Sequence, residues 1–243
     1  GADAVYLGVG ELNMRINSRG IPADSLADSV RYAHDKGVKV YLTLNTVIYD
    51  SELAVLDEIL AQAKAAQVDA VICWDMAVIM RAKKLGLPLH VSTQASISNS
   101  ESARYYRDLG ATRFVLAREL NLEQIAEIRK AAGVEVEVFC HGAMCVSISG
   151  RCFISEFLHG RSANKGDCLQ PCRAEYLVKD LDSGKELAVG NNYVLSPKDL
   201  CTLPIIDRMI EAGIDSFKIE GRSRSPEYVA KVVDAYRRAI DAY

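Results

Sequence analysis

Short apolar runs bounded by polar or glycine-containing segments recur at residues 4–8, 38–44, 70–74, 89–93, 113–117, 135–140 and 216–220. Their length is that of buried strands. Helix-length segments lie between them, with apolar residues repeating every three or four positions. Leu26, Val30, Tyr32 and Ala33 precede Lys36-Gly37, and Leu122, Ile125, Ile128 and Ala131 precede Gly133. Alternation of strand and helix predicts a parallel sheet with right-handed crossovers. No G-x-G-x-x-G fingerprint or Walker loop is present, and the strand count approaches eight, so a (β/α)8 TIM-like barrel is expected rather than an open doubly wound sheet. The opening Gly1-Ala2-Asp3 matches three internal helix-to-strand joints, at Gln67, Gly110 and Gly213. By that analogy the first strand and helix of the barrel are expected to be missing from this chain.

The alternation breaks once, between residues 143 and 195. Tyr176–Leu181 and Lys185–Ala188 flank Ser183-Gly184 and predict a small hairpin. Ser196 and Pro197 then read as the cap and first position of a helix. The expected organisation is a barrel over 1–142 and 196–243, with a cysteine-rich insert over 143–195. Such an insert leaves from the C-terminal rim, where barrel active sites are built.

Residues 140–172 hold five of the seven cysteines, spaced Cys140-x4-Cys145-x6-Cys152-x15-Cys168-x3-Cys172, with His141 and His159 among them. Glycines at 142, 150, 160 and 166 place these residues on a folded loop rather than along one helix face. Disulfides suit small, core-poor secreted domains, whereas this chain has 243 residues, is 49% hydrophobic and has an odd cysteine count. Structural zinc favours two tight knuckles, and only Cys168-x3-Cys172 is tight. An iron–sulfur cluster accepts unequal spacing. Zinc, a cluster and redox thiols all stay open on spacing alone. Reduced cysteines point to the cytoplasm, and no apolar run approaches the roughly 20 residues of a membrane span. A net charge of −3 gives no global attraction to nucleic acid, so any RNA contact requires a local cationic patch.

His141-Gly142-Ala143-Met144-Cys145, Ser149-Gly150-Arg151-Cys152 and the run Gly160 to Arg173, together with Lys218-Ile219-Glu220-Gly221-Arg222 and Ser225-Pro226-Glu227, resemble the signature of the U32 collagenase-like peptidase family. Despite the family's name, the resemblance implies oxygen-independent hydroxylation proteins holding a [4Fe-4S] cluster. These act on wobble uridine of tRNA with prephenate as hydroxyl donor, on a cytidine of large-subunit rRNA, or, with a homologous partner subunit, on quinone precursors. It also implies the cluster ligands Cys145, Cys152, Cys168 and Cys172; Cys140 lies outside the motif. Two alternatives are a peptidase and a cluster-bearing subunit of a larger complex. The chain has neither H-E-x-x-H nor G-x-S-x-G.

Polar residues directly after the apolar runs should converge on one mouth of a barrel: Asn45, Asp75, Gln94, Arg118, Glu119, His141, Glu220 and Arg222. His141, Glu220, Arg222 and Arg118 are the catalytic candidates, and Asn45, Gln94 and Glu119 the substrate-binding ones. Asn45 and Asp75 could equally cap helices or loops. Arg151, Arg161, Lys165 and Arg173, with Arg224 nearby, are expected to form a cationic surface for phosphate or a dicarboxylate. His34 and His90 read as structural and His159 stays unassigned. Cys73 and Cys201 read as buried small hydrophobes, in a strand and a helix, and Trp74 as wall packing.

Overall fold

Each apolar run becomes a strand. In chain order the strands are β1 (Ala4–Leu7), β2 (Lys39–Leu44), β3 (Ala70–Cys73), β4 (Leu89–Val91), β5 (Ala111–Val115) and β6 (Glu135–Gly142), then the two-residue β7 (Val178–Lys179), β8 (Glu186–Leu187) and β9 (Leu200–Cys201), which come from none of those runs, and last β10 (Ser216–Ile219). The helices are α1 (Leu26–His34), α2 (Leu53–Ala65), α3 (Met76–Lys84), α4 (Ser100–Asp108), α5 (Leu122–Ala132), α6 (Ile154–His159), α7 (Ile206–Glu211) and α8 (Pro226–Asp241). This computed structural model describes residues 1–14, 16, 21–148, 151–187, 194–222 and 224–243. Ser149 and Gly150 of the motif, and Ala188 of the expected hairpin, lie outside them.

Seven strands pair in parallel in the order β1-β2-β3-β4-β5-β6-β10. The sheet curls, so that its two ends come within side-chain reach. The Tyr6 hydroxyl on β1 donates to the Ile219 carbonyl on β10 at 3.1 Å, and Arg237 on α8 donates to the Asp3 carboxylate at 3.1 Å.

The helices cover the outer face because their apolar stripes need burial. Leu26, Val30, Leu56, Leu60 and Ile79 from α1 to α3 pack on one half, and Ile125, Ile128 and Met209 from α5 and α7 pack against Phe114, Val136 and Val138 on the other. Tyr32, expected on the buried stripe of α1, is 68% exposed. It stands beyond the edge of the stripe that Leu26, Val30 and Ala33 define, with Lys36 over its ring.

Inward-facing positions on β5, β6 and β10 are charged. Glu137, only 4% exposed, accepts hydrogen bonds from Lys218 Nζ at 2.7 Å, Ser216 Oγ at 3.0 Å and Arg113 Nη1 at 3.2 Å. Arg113 also donates to Glu135 at 2.6 Å and to the Tyr41 hydroxyl at 3.3 Å. Charges this deep persist only as hydrogen-bonded pairs, and here each has a partner. His90 stacks edge-on to Tyr41, and burial, reinforced by Arg113, pushes its pKa down to about 3. His34, on the outside, shares a 2.8 Å hydrogen bond with Asp69. Both histidines thus bond or pack within the scaffold.

The hairpin forms, with Val178 opposite Leu187 and Lys179 opposite Glu186. Its turn is shaped by Asp180, whose carboxylate accepts from the N–H groups of Asp182 and Ser183 at 3.0 and 2.6 Å. The helix expected at Ser196 is absent. Residues 196–199 are irregular, Leu200 and Cys201 pair antiparallel to the end of β6, and α7 starts only at Ile206. The Cys140 carbonyl overrides the local cap signal by accepting from Thr202 N and Oγ1 at 3.0 and 3.1 Å. Cys201 is therefore exposed on a strand, not buried in a helix, whereas Cys73 is fully buried on β3.

Candidate cysteine-lined active site

The chain leaves β6 through Gly142, at φ +109°, where an added Cβ would lie 2.3 Å from the Glu220 carbonyl oxygen. Close passage of the insert over the end of β10 therefore requires glycine there. Gly166, at φ +87°, makes the second close approach, 2.2 Å from a would-be Cβ to the Asn13 carbonyl oxygen. Between these points the insert is anchored to the loop after β2. Lys165 Nζ donates to the Val47 carbonyl at 2.8 Å and to both Glu52 carboxylate oxygens at 2.6 Å. Asn164 accepts from Cys152 N at 3.2 Å through its side chain and from Val47 N at 3.3 Å through its backbone.

This folding encloses a cavity of about 270 Å³ over the C-terminal ends of the strands. Cys145, Cys152, Cys168 and Cys172 all line it. All four are free and half-buried, on loops except for Cys172 in the short turn Pro171–Arg173. Burial pushes the Cys172 thiol up, and Cys145, Cys168 and Cys152 add to the effect while Arg173 opposes it. Among the described residues no three histidine, cysteine or acidic side chains converge tightly enough for a single ion. A set of four cysteines around one shared space fits a bulky inorganic core held from separate loops. Cys140 is not in this set; it is buried, with its thiol pushed up to about 12, and its Sγ contacts the Lys218 carbonyl at 3.4 Å.

Asn45, Gln94, Arg118, Glu220 and Arg222 line the same cavity, with Lys218, Tyr6 and Phe139 from the inner sheet face. Asn45 Oδ1 accepts from Met14 N at 3.1 Å, and its carbonyl accepts from Trp74 Nε1 at 2.9 Å. Gln94 is held by the Ser92 hydroxyl. The Glu220 carboxylate accepts from Arg222 N at 2.6 Å, and Arg222 Nη1 donates to the Met14 carbonyl at 2.6 Å. Arg118 lies with its guanidinium carbon 3.9 Å from the Phe139 ring centroid. Burial lowers its pKa, against the smaller opposing influence of Cys145, Glu220, Tyr6 and Glu119.

Three expected members stand elsewhere. His141 turns towards α8, sharing a 2.9 Å hydrogen bond with the Tyr228 hydroxyl and packing edge-on to Tyr236, and it does not line the cavity. Burial lowers its pKa, with Asp199 opposing and Arg224 reinforcing the change. Glu119 is exposed and lines neither this cavity nor its neighbour. Asp75 caps α3 instead, accepting from Ala77 N at 2.8 Å and from Ile48 N at 3.1 Å.

The cationic surface expected on the insert is largely neutralised within the chain. Arg161 pairs with Asp167, Lys165 with Glu52, and Arg173 and Arg224 with the single carboxylate of Asp199. Arg151 lies over the Trp74 ring at 4.9 Å. His159, which ends α6, is exposed and away from the cavity. Lys218, quoted in the motif, and Tyr6 and Phe139 were not among the candidate site residues, although the charged position inside Phe217-Lys218-Ile219 marks a strand with a polar inner face.

The family model of peptidase family U32 matches residues 1–243. The "Collagenase" of Porphyromonas gingivalis is 46% identical over the whole of this chain and 61% of its own length. The "23S rRNA 5-hydroxycytidine C2501 synthase" of Escherichia coli is 42% identical, over all of this chain and 36% of its own length. The "tRNA hydroxylation protein P1" of Bacillus subtilis is 37% identical, over all of this chain and 59% of its own length. The chain thus spans about three-fifths, or less, of these relatives. A solved structure described as that of "the U32 Peptidase Mk0906" shares the fold with a TM-score of 0.53, at 20% identity over 68% of each chain. With its whole length matched by the family model and by relatives carrying both peptidase and RNA-hydroxylation names, the chain belongs to peptidase family U32.

Proposed function

We propose that this chain is the cluster-holding part of an oxygen-independent RNA hydroxylation enzyme, with a [4Fe-4S] cluster on Cys145, Cys152, Cys168 and Cys172. The observation that carries the reading is the convergence of four free cysteines on one cavity that also holds Asn45, Gln94, Arg118, Glu220 and Arg222. Relatives named for tRNA and rRNA hydroxylation support it. A bound cluster would supply one-electron redox chemistry. The chain's own residues do the rest. A pyrimidine taken out of its stack enters the cavity beside Tyr6 and Phe139, whose rings lie under the Lys218 and Arg118 cations. Asn45 and Gln94 read its polar edge, and Arg222 and Arg118 hold an anionic hydroxyl donor such as prephenate by charge-assisted hydrogen bonds. The seven parallel strands would be the larger part of a closed (β/α)8 barrel.

The collagenase name of one relative favours a hydrolase as the second reading. A cysteine hydrolase needs a general base within hydrogen-bond reach of its thiol. Among the described residues no histidine lines the cavity, and His141 bonds Tyr228 instead. Anaerobic purification should yield about four irons and four sulfides per chain. Mass spectrometry of tRNA and rRNA nucleosides from a deletion strain should show loss of one hydroxylated pyrimidine. Stoichiometric zinc without sulfide, or peptide cleavage by metal-free protein, would overturn the reading.

A further inference from the structure

One wall of the cysteine-lined cavity is α6, through Ile154 and Ser155. Ser155 is buried and fixes the helix there, its Oγ accepting from Leu169 N at 3.1 Å. The opposite face of this short helix has no cover. Phe153 and Phe157 are 72% and 87% exposed, more than any other described phenylalanine, tyrosine or tryptophan. Phe157 N donates to the Phe153 carbonyl at 2.8 Å, so the two rings stand one turn apart on the same side, with Cβ atoms roughly 5–6 Å from each other.

A cation stands at the same edge. Arg151 is exposed and lies over the Trp74 ring at 4.9 Å, and Trp74 is itself fixed through Nε1 to the Asn45 carbonyl at 2.9 Å. Arg161 and Lys165 are taken by Asp167 and Glu52, whereas Arg151 makes no ion pair among the described residues. Cys152, between Arg151 and Phe153 in sequence, lines the cavity. The cation and the first ring therefore flank the cavity's rim, and the second ring continues the row outward. Glu156 on the same helix is an exposed negative charge, so the row cannot hold a polyanion by charge alone. Flat ring faces hold bases by stacking instead, and every base offers such a face. A strand that puts one base into the cavity must lay its neighbours across this rim, with bases splayed out for stacking. We propose that Phe153 and Phe157 form a stacking platform for the unpaired bases next to the target nucleotide, with Arg151 on a phosphate between them and the cavity. The inference rests on RNA as the substrate.

A fluorescein-labelled single-stranded RNA of ten nucleotides, titrated with the anaerobically purified chain and followed by anisotropy, tests it. The same strand annealed to its complement is the control, and the single strand should bind at least tenfold more tightly. Phe153→Leu combined with Phe157→Leu keeps apolar surface but removes the ring faces, and should weaken single-strand binding at least tenfold. Phe153→Trp combined with Phe157→Trp should bind at least as tightly as the native chain. Arg151→Ala should flatten the log-log salt dependence by about 0.7, the share of one phosphate on a single strand, while the leucine pair leaves the slope unchanged. No single-strand binding by the native chain would remove the RNA reading and the platform with it. Native binding that the leucine pair leaves undiminished would overturn the platform alone. Loss of a dimer in sedimentation by the leucine pair, with RNA binding intact, would also overturn it and give the surface to a second copy of the chain.

Discussion

The inner face of the sheet and the cysteine loop both hold titratable side chains away from bulk water, in opposite ways. On the sheet, Glu137 has Lys218, Arg113 and Ser216, so the buried charges complete one another and no guest is needed. In the loop, four half-buried thiols face a shared space with no disulfide between them. The loop's backbone is secured separately, by Lys165, Asn164 and the close approaches at Gly142 and Gly166. The lower region is therefore built for stability, whereas the loop is a shaped frame with its binding groups left over. Stability measurements and ligand measurements should divide along this line.

The largest loss of stability is expected from Glu137→Leu, which strands Lys218 and Arg113 in the interior. Breaking a buried pair by removing one partner costs roughly 3–5 kcal/mol, readable by urea denaturation. Next comes pH. His90 has its folded-state pKa depressed from 6.5 to about 3, so the unfolded chain binds the extra proton first. Its contribution is complete above pH 6.5 and is lost as pH falls towards 3. His90→Phe should flatten the denaturation midpoint over that window, and an unchanged slope would reject the assignment.

A smaller effect is expected from Lys165→Ala, about 1 kcal/mol for a partly exposed pair, together with faster protease cleavage within residues 143–187. Burial alone would raise the Glu52 pKa, but Lys165 and the Tyr49 N–H hold it below the ordinary 4.5. The anchor therefore persists above that pH and weakens as acid protonates the carboxylate. The smallest stability change should come from Cys152→Ala or Cys168→Ala in metal-free protein, under about 1 kcal/mol, since these side chains are only half-buried. The same substitutions should abolish iron retention after anaerobic purification, while Cys73→Ala and Cys201→Ala should not. A large stability loss in the metal-free cysteine variants would erase the contrast between the two regions.

The strands were legible because each apolar run has a helix-covered outer face, so burial and sequence pattern coincide. The four cysteines were legible from their clustering and motif. The fate of the cations was not. Lys165 finds Glu52 across 113 residues, and Arg173 and Arg224 reach Asp199 from opposite sides in sequence, pairings that no local pattern records. Ser196-Pro197 carries a sound cap signal that loses to β9, because the end of β6 offers backbone partners that a helix would forgo. Glu135-Val136-Glu137-Val138 could have been read further. Its strict alternation states that the inner face is charged, a signal hidden by treating the run as uniformly apolar.

The Arg222 bond to the Met14 carbonyl joins positions 208 residues apart, and the cavity wall uses both. During synthesis the helices and early strands can form as they emerge, but this wall cannot close until Arg222 has left the ribosome. Any inorganic core enclosed by this wall would therefore be delivered after Arg222 has been made, not while the cysteine loop is the newest part of the chain.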